Sequence, residues 1–323
     1  MQTRFPPGSF ALAPASADAS FRRYFRVTFP GTSRASVIAM DAPPDKEDSR
    51  PFVHVARLMA AAGLNVPAIL AADLGEGFLL LSDLGTTPYL AALDEGSADR
   101  LFRDALAALV KWQLATAPGA LPPYDAALLR RELDLFPEWY LGRHLGLALG
   151  AAERDMLERT FALLIASATA QPQVFVHRDF MPRNLMVCDP NPGVLDFQDA
   201  VVGPISYDVV SLFRDAFLSW PEARVLDWTI RYWESARRAG LPVAADFADF
   251  WRDFEWMGLQ RHLKVLGIFA RIRYRDGKTG YLEDTPRFVG YVREVASRYA
   301  ALAPLLRFFD AIEGRAARAG YTF

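Results

Sequence analysis

Three short apolar runs, Gln173-Val174-Phe175-Val176, Leu185-Met186-Val187 and Gly193-Val194-Leu195, interrupt a stretch of this chain that otherwise reads as helix. Each has the length and β-branched content of a strand bounded by turns. The first leads into His177-Arg178-Asp179-Phe180-Met181-Pro182-Arg183-Asn184, and the third into Asp196-Phe197. This spacing predicts Asp179, Asn184 and Asp196 on turns at strand ends, gathered at one edge of a small sheet.

The rest of the chain divides around that cluster. Before residue 85 it is β-rich: Phe21–Phe29 and Ala35–Met40 read as strands joined by a Pro30-Gly31 turn, and Val66–Ala72 and Phe78–Ser82 as two more. Between them Phe52–Ala62 carries apolar residues at helical spacing and ends at Gly63. From Pro88 onward helices dominate. The expectation is an α+β, bilobal fold, with a small β-rich lobe over residues 1–84, a larger helical lobe over 85–323 and a hinge at Ser82–Gly85. A ligand cleft would lie beside that hinge.

Composition narrows the function classes. A net charge of −2 over 323 residues gives no global attraction to nucleic acid or anionic membrane. No run approaches a membrane span, and prolines at 6, 7 and 14 break any signal-peptide core. The single cysteine, Cys188, excludes an intramolecular disulfide and fits a reducing, cytoplasmic compartment, in what reads as a buried strand. The expected protein is monomeric and acts on a small molecule.

The chemistry follows from the three polar residues. Asp179 is placed to orient an acceptor hydroxyl or take its proton. Asn184 and Asp196 offer the hard oxygen atoms that hold Mg²⁺ against phosphates. This is the minimal equipment for phosphoryl transfer from ATP, in the His-x-Asp-x₄-Asn plus Asp-Phe pattern. His177 reads as a structural hydrogen-bonding residue, and Asp208 as a brace or helix cap.

With Leu195-Asp196-Phe197-Gln198-Asp199-Ala200 followed by Gly203-Pro204-Ile205-Ser206-Tyr207-Asp208, nearly the whole chain resembles the aminoglycoside phosphotransferase-like kinases. Ala19–Arg26, Leu135–Tyr140, Gln260–Gly267 and Arg275–Lys278 look like one branch of them, the anomeric kinases of N-acetylmuramate and N-acetylglucosamine. The resemblance implies a protein-kinase-like fold, ATP and Mg²⁺ as cofactors, and an amino sugar phosphorylated at its anomeric hydroxyl in cell-wall recycling. Other acceptors (an aminoglycoside, an amino alcohol, another sugar) and a non-catalytic nucleotide-binding protein are the alternatives.

Two features depart from the wider kinase pattern. The strand Val37-Ile38-Ala39-Met40 ends in methionine where a phosphate-binding lysine is usual, and Ala15–Ser20 replaces a Gly-rich loop. The backbone up to Ser20 would then cradle phosphate, with Arg22 or Arg23 supplying the missing charge. On alternating strand positions only one of the two can face the cleft. The base would lie between Ile38 and Leu80 against the backbone of Leu81 to Leu84. Asp83 there reads as a hinge or loop-capping residue of the nucleotide site.

For the acceptor, Glu138, Trp139, Tyr140, Arg143 and His144 combine aromatic faces with charge. Gln260, Lys264, Gly267, Arg271 and Arg275 share one helix face, read either as a site for an acidic group or as a solvated basic surface. Glu138, Tyr140, His144, Arg214, Arg261 and Lys264 are the acceptor candidates. Basic residues outnumber acidic ones between Trp251 and Arg287, which disfavours a polycationic acceptor.

Overall fold

The computed structural model describes residues 9–16, 21–33 and 35–314. These form two compact units, one of residues up to Ala115 with His177–Ala200, the other of Thr116–Val176 with Val201 onward.

The first unit is built on a five-stranded antiparallel sheet. Its strands are β1 (Ala11–Ser16), β2 (Arg23–Thr28), β3 (Val37–Asp41), β4 (Ile69–Asp73) and β5 (Phe78–Ser82), in the order β1-β2-β3-β5-β4. Register places Arg26 opposite Ile38 and Ile38 opposite Leu81, so these three share a face. The other face carries Val27, Phe29 and Leu80 in a small apolar cluster with Val37 and Ala39. Helix α1 (Arg50–Ala61) starts with Pro51 in its first turn and buries Phe52, Val55 and Met59. It stops because Gly63 takes φ 79°, letting Leu64 donate to the Met59 carbonyl at 3.0 Å. Helices α2 (Tyr89–Ala92) and α3 (Ala98–Leu114) follow.

The strands flanking the polar cluster do not make one small sheet. β6 (Gln173–Val176) pairs in the second unit with β9 (Val201–Pro204). β7 (Leu185–Met186) and β8 (Gly193–Val194) form a separate hairpin in the first. Cys188 lies half-buried just beyond β7 rather than in a strand.

The second unit is helical apart from β6 and β9. It contains α4 (Ala126–Leu135), a wide-turn π-helix (Phe136–His144), α5 (Ala151–Ala170), α6 (Tyr207–Phe213) and α7 (Glu222–Arg238). The 30-residue α8 (Phe247–Asp276), α9 (Thr285–Arg298) and α10 (Ala303–Ile312) complete it. Asp246 caps α8, accepting from the Ala248 amide at 2.8 Å. The middle of α8 is buried nearly all round. No helix of the described residues is long and apolar enough to cross a membrane.

The π-helix has a local cause. Pro137 lacks an N–H and its ring collides with the carbonyl four residues back, so α-helical bonding cannot run on from α4. The Leu145 amide reaches the Tyr140 carbonyl five residues back, at 3.0 Å. Gly267 of α8 packs against this junction: a Cβ there would lie 2.4 Å from the Leu135 carbonyl carbon. Gly267→Ala should therefore cost about 2–3 kcal/mol, because backbone rather than a flexible side chain must move. Urea denaturation checks this, and an unchanged midpoint would show that the two helices separate freely.

Candidate active site

The β7–β8 hairpin sets the geometry of the polar cluster. The Leu195 amide donates to the Asn184 carbonyl at 2.9 Å, tying the segment after β8 to the segment before β7. Asn184, the last residue of a 3₁₀ turn (Pro182–Asn184), donates its amide nitrogen to the Asp179 carbonyl at 3.0 Å and to Asp196 Oδ2 at 3.3 Å. Its amide oxygen is thereby left as an acceptor beside a carboxylate. Asp196 itself has φ 61°, in the left-handed region that aspartate tolerates better than most residues. Gln198 Nε2 donates to Asp196 Oδ1 at 2.9 Å and fixes the carboxylate from the other side. In the sequence Gln198 is one letter of a longer motif, with nothing to mark it apart.

Asp179 is half-buried, and its backbone is held at both ends. Its amide donates to His177 Nδ1 at 3.2 Å, and its carbonyl also accepts from the Met181 amide at 2.9 Å. Among the described residues its carboxylate has no hydrogen-bond partner. The structure brings Asp179, Asn184 and Asp196 into one bonded cluster.

His177 is fully buried, with Nε2 3.0 Å from the Leu195 carbonyl. Nδ1 accepts from Asp179, so Nε2 carries the proton and the ring is neutral. Burial pushes its pKa down from 6.5 to about 4, against the opposing charge of Asp179. The unfolded chain therefore binds a proton below pH 6.5 that the folded chain refuses. Stability contributed by the neutral ring is present above pH 6.5 and lost as pH falls towards 4, by roughly 3 kcal/mol in full. Urea midpoints measured from pH 7 to 4.5 should fall more steeply for the wild type than for His177→Gln. Equal slopes would refute the assignment.

A cavity of about 400 Å³ lies within the first unit. Ala15, Tyr24, Arg26, Ile38 and Leu81 line it from the sheet, Ser82 to Thr86 from the following segment, and Met186, Leu195 and Phe197 from the hairpin side. Arg183, Asn184 and Asp196 also line it. Apolar walls with a few polar groups suit a flat ring carrying a charged tail.

Most of the expected nucleotide residues bear on this cavity. Ile38, Leu81, Asp83 and Leu84 line it, whereas Leu80, one residue out of phase, packs on the opposite face of the sheet. Arg22 and Arg23 do not line it. Arg22 pairs with Glu47 at 3.1 Å, and Arg23 pairs with Asp41. Alternation along β2 instead turns Tyr24 and Arg26 to the cavity. Ser20 lies outside the described residues. Arg26 grips Asp83 with two bonds, Nε to Oδ2 at 2.6 Å and Nη2 to Oδ1 at 3.0 Å, and Nη2 also meets the Gly85 carbonyl at 2.7 Å. Burial raises the Asp83 pKa, but the bonds from Arg26, Ser36 and the Gly85 amide outweigh it and hold the carboxyl below its usual range. Asp83 thus ties β2 to the segment after β5.

Asn184 and Asp196 fit Mg²⁺ as two hard oxygen donors, leaving coordination positions for phosphate oxygens and water. Among the described residues no group of three or more His, Cys, Asp or Glu gathers into a metal cage.

The acceptor candidates fall into three groups by their contacts. Glu138, Tyr140 and His144 lie on the π-helix, with Glu138 exposed and Tyr140 stacked on Phe136. Burial pushes the Tyr140 hydroxyl up to about 12, and His144 Nδ1 meets the Tyr274 hydroxyl at 3.2 Å. Arg214 bonds Glu294 at 3.0 Å and lies over the Tyr291 ring, while Arg261 is buried and its charge offsets the burial that raises the Asp215 pKa. Lys264 is held in the core, 2.8 Å from Glu132 and 3.0 Å from the Tyr207 hydroxyl. The stripe on α8 is therefore neither an open acidic-group site nor a solvated face over its first half. Gln260, Lys264 and Gly267 form a packing seam, and the exposed cations begin at Arg275.

Comparison with known proteins agrees with this geometry. Residues 11–255 match the phosphotransferase enzyme family. The N-acetylmuramate/N-acetylglucosamine kinase of Pseudomonas aeruginosa is 57% identical over 300 residues, 93% of this chain and 87% of that one. The protein of the same name from Neisseria meningitidis is 50% identical over 328 residues, 100% and 97% of the two chains. Among solved structures, the ADP-bound aminoglycoside phosphotransferase APH(2'')-Ib superimposes with a TM-score of 0.59 at 12% identity, covering 91% of this chain and 96% of that one. A Plasmodium vivax ethanolamine kinase reaches 0.64 at 11% identity, covering 95% and 87%. At such identities the likeness shows the α+β fold alone. The sequence match spans most of the chain and includes Asp179, Asn184 and Asp196, and on that ground this chain belongs to the phosphotransferase enzyme family.

Proposed function

We propose that this kinase transfers the γ-phosphoryl group of ATP to the anomeric hydroxyl of N-acetylmuramate or N-acetylglucosamine, giving the sugar 1-phosphate. The observation that carries the reading is 57% identity over 93% of the chain to an enzyme named for those two sugars. The bonded set Asp179, Asn184 and Asp196 supports it from the chemistry.

In this reading Asp179 orients the attacking hydroxyl and receives its proton. Asn184 and Asp196 hold Mg²⁺, which when bound neutralises charge on the phosphate oxygens. Gln198 keeps the Asp196 carboxylate turned to that task. Residues 1–84 supply one side of the nucleotide walls, and 85–323 the other side together with the catalytic and acceptor groups. For the acceptor, Glu138 and His144 on the π-helix and the Arg214–Arg261 group remain candidates, while Lys264 belongs to the core. Aromatic and basic surroundings suit a neutral or acidic sugar better than a polycation. The product would serve cell-wall recycling in the cytoplasm, with the enzyme acting as a monomer.

The test is an ATP-consumption assay with N-acetylmuramate, N-acetylglucosamine and an aminoglycoside, followed by phosphorus NMR of the product. Turnover of the amino sugars with phosphate on the anomeric carbon is expected. Phosphate on another hydroxyl, or turnover of the aminoglycoside alone, would overturn the acceptor assignment.

A further inference from the structure

Register puts Arg26, Ile38 and Leu81 in one row across β2, β3 and β5, on the sheet face that lines the cavity. Ile38 and Leu81 are what a wall against a flat ring requires. Arg26 breaks the pattern, since a lone charge on such a wall would lose hydration with nothing in return. Its contacts show how the chain accommodates it.

The side chain runs past β3 to the segment after β5. Nε donates to Asp83 Oδ2 at 2.6 Å, and Nη2 donates to Asp83 Oδ1 at 3.0 Å and to the Gly85 carbonyl at 2.7 Å. Asp83 is fixed in turn by the Ser36 hydroxyl at 2.7 Å and the Gly85 amide at 3.0 Å. Asp83 keeps only 6% of its side chain exposed against 24% for Arg26, so the arginine is the more accessible partner. A two-pronged bond of this kind lies in the guanidinium plane. The edge bearing Nε and Nη2 is therefore occupied, and the charge is largely neutralised where it stands. What remains for the cavity is a flat, weakly hydrated face, which no aromatic ring among the described residues covers.

We propose that Arg26 is a stacking residue for the nucleotide base, its plane set by Asp83, and not a partner of the phosphates. Met186, Leu195 and Phe197 line the cavity from the hairpin side, so a base between the two walls has Arg26 and Ile38 on one face and apolar side chains on the other. A cation already locked on a carboxylate has little net charge to offer a phosphate, whereas stacking needs only the plane. Arg22 and Arg23 cannot take its place, because they pair with Glu47 and Asp41 and do not line the cavity. The assignment rests on the nucleotide reading of the cavity.

The experiment is calorimetric titration of the full chain with adenosine and with ADP in EDTA. To separate stacking from the ion pair, position 26 is varied together with Asp83→Asn, so that no carboxylate is left unpaired. Arg26→Ala/Asp83→Asn should bind both ligands about 10-fold more weakly than wild type, by the same factor for each. Arg26→Phe/Asp83→Asn should recover most of that loss, because a phenyl ring restores a flat face without charge. An Arg26–Asp83 pair that merely ties β2 to the segment after β5 predicts no such recovery. A third variant, Arg26→Lys, keeps the charge and the reach to Asp83 but has no plane, and should lose adenosine by about 10-fold as well. The proposal is wrong if the alanine and phenylalanine variants bind adenosine alike, if Arg26→Lys binds it like wild type, or if ADP loses far more than adenosine. If wild type binds neither ligand, the nucleotide reading of the cavity is what fails.

Discussion

Asp179→Asn is expected to lower turnover by about 10²- to 10⁴-fold, while leaving ADP affinity and thermal stability close to wild type. The factor corresponds to about 3–5.5 kcal/mol of lost transition-state stabilisation. Asparagine matches the shape of aspartate but cannot take a proton from the acceptor hydroxyl. The turn itself should survive, because every bond that fixes it uses the Asp179 backbone: the amide to His177, the carbonyl to Asn184 and Met181. The side chain has no hydrogen-bond partner among the described residues, so its replacement leaves no buried group unpaired. Asp196→Asn should behave differently, raising the Mg²⁺ concentration needed for half-maximal activity. Steady-state kinetics with ADP titration separate the two. Turnover of Asp179→Asn within about tenfold of wild type would remove Asp179 from the role of base.

The elements were legible where the side-chain period was clean. β5 occupies Phe78–Ser82, as its apolar run predicts, and α8 spans Phe247–Asp276, which takes in Gln260, Lys264, Gly267, Arg271 and Arg275 on the single helix their spacing predicts. β1 is hidden in the sequence because Ala11–Ser16 is small, carries Pro14 and shows little alternation; at the edge of a sheet a proline is tolerated. The π-helix was equally hidden: Pro137 announces a break, but composition does not say whether a helix ends or widens there. The arginine facing the cavity was misassigned for a related reason. Arg22, Arg23 and Arg26 lie within five residues, and only the register Arg26–Ile38–Leu81 decides which one faces inward. Asp179, Asn184 and Asp196 do come together as their spacing predicts, because strand ends and turns fix their positions locally.

The cationic stripe on α8 shows the opposite failure, and Lys264 carries the second large expected effect. Helical spacing correctly groups Gln260, Lys264 and Gly267, but it cannot tell a ligand-facing stripe from one that faces a neighbouring helix. The structure buries Lys264 against α4, where Nζ meets Glu132 Oε1 at 2.8 Å and the Tyr207 hydroxyl at 3.0 Å. The Tyr124 hydroxyl also bonds Glu132, and Gln260 Nε2 approaches it at 3.4 Å. Lys264→Met would leave the Glu132 carboxylate buried without its counter-charge, and should cost about 3–5 kcal/mol. Removing both charges in Lys264→Met/Glu132→Met should recover most of that loss, because the penalty lies in the unpaired ion rather than in the missing bond. A ligand-binding lysine predicts another pattern: a raised KM for the sugar, little change in stability and no rescue by the second substitution. Urea denaturation of the two variants alongside KM measurements decides between them. A stable Lys264→Met protein with weakened sugar binding would return Lys264 to the acceptor site.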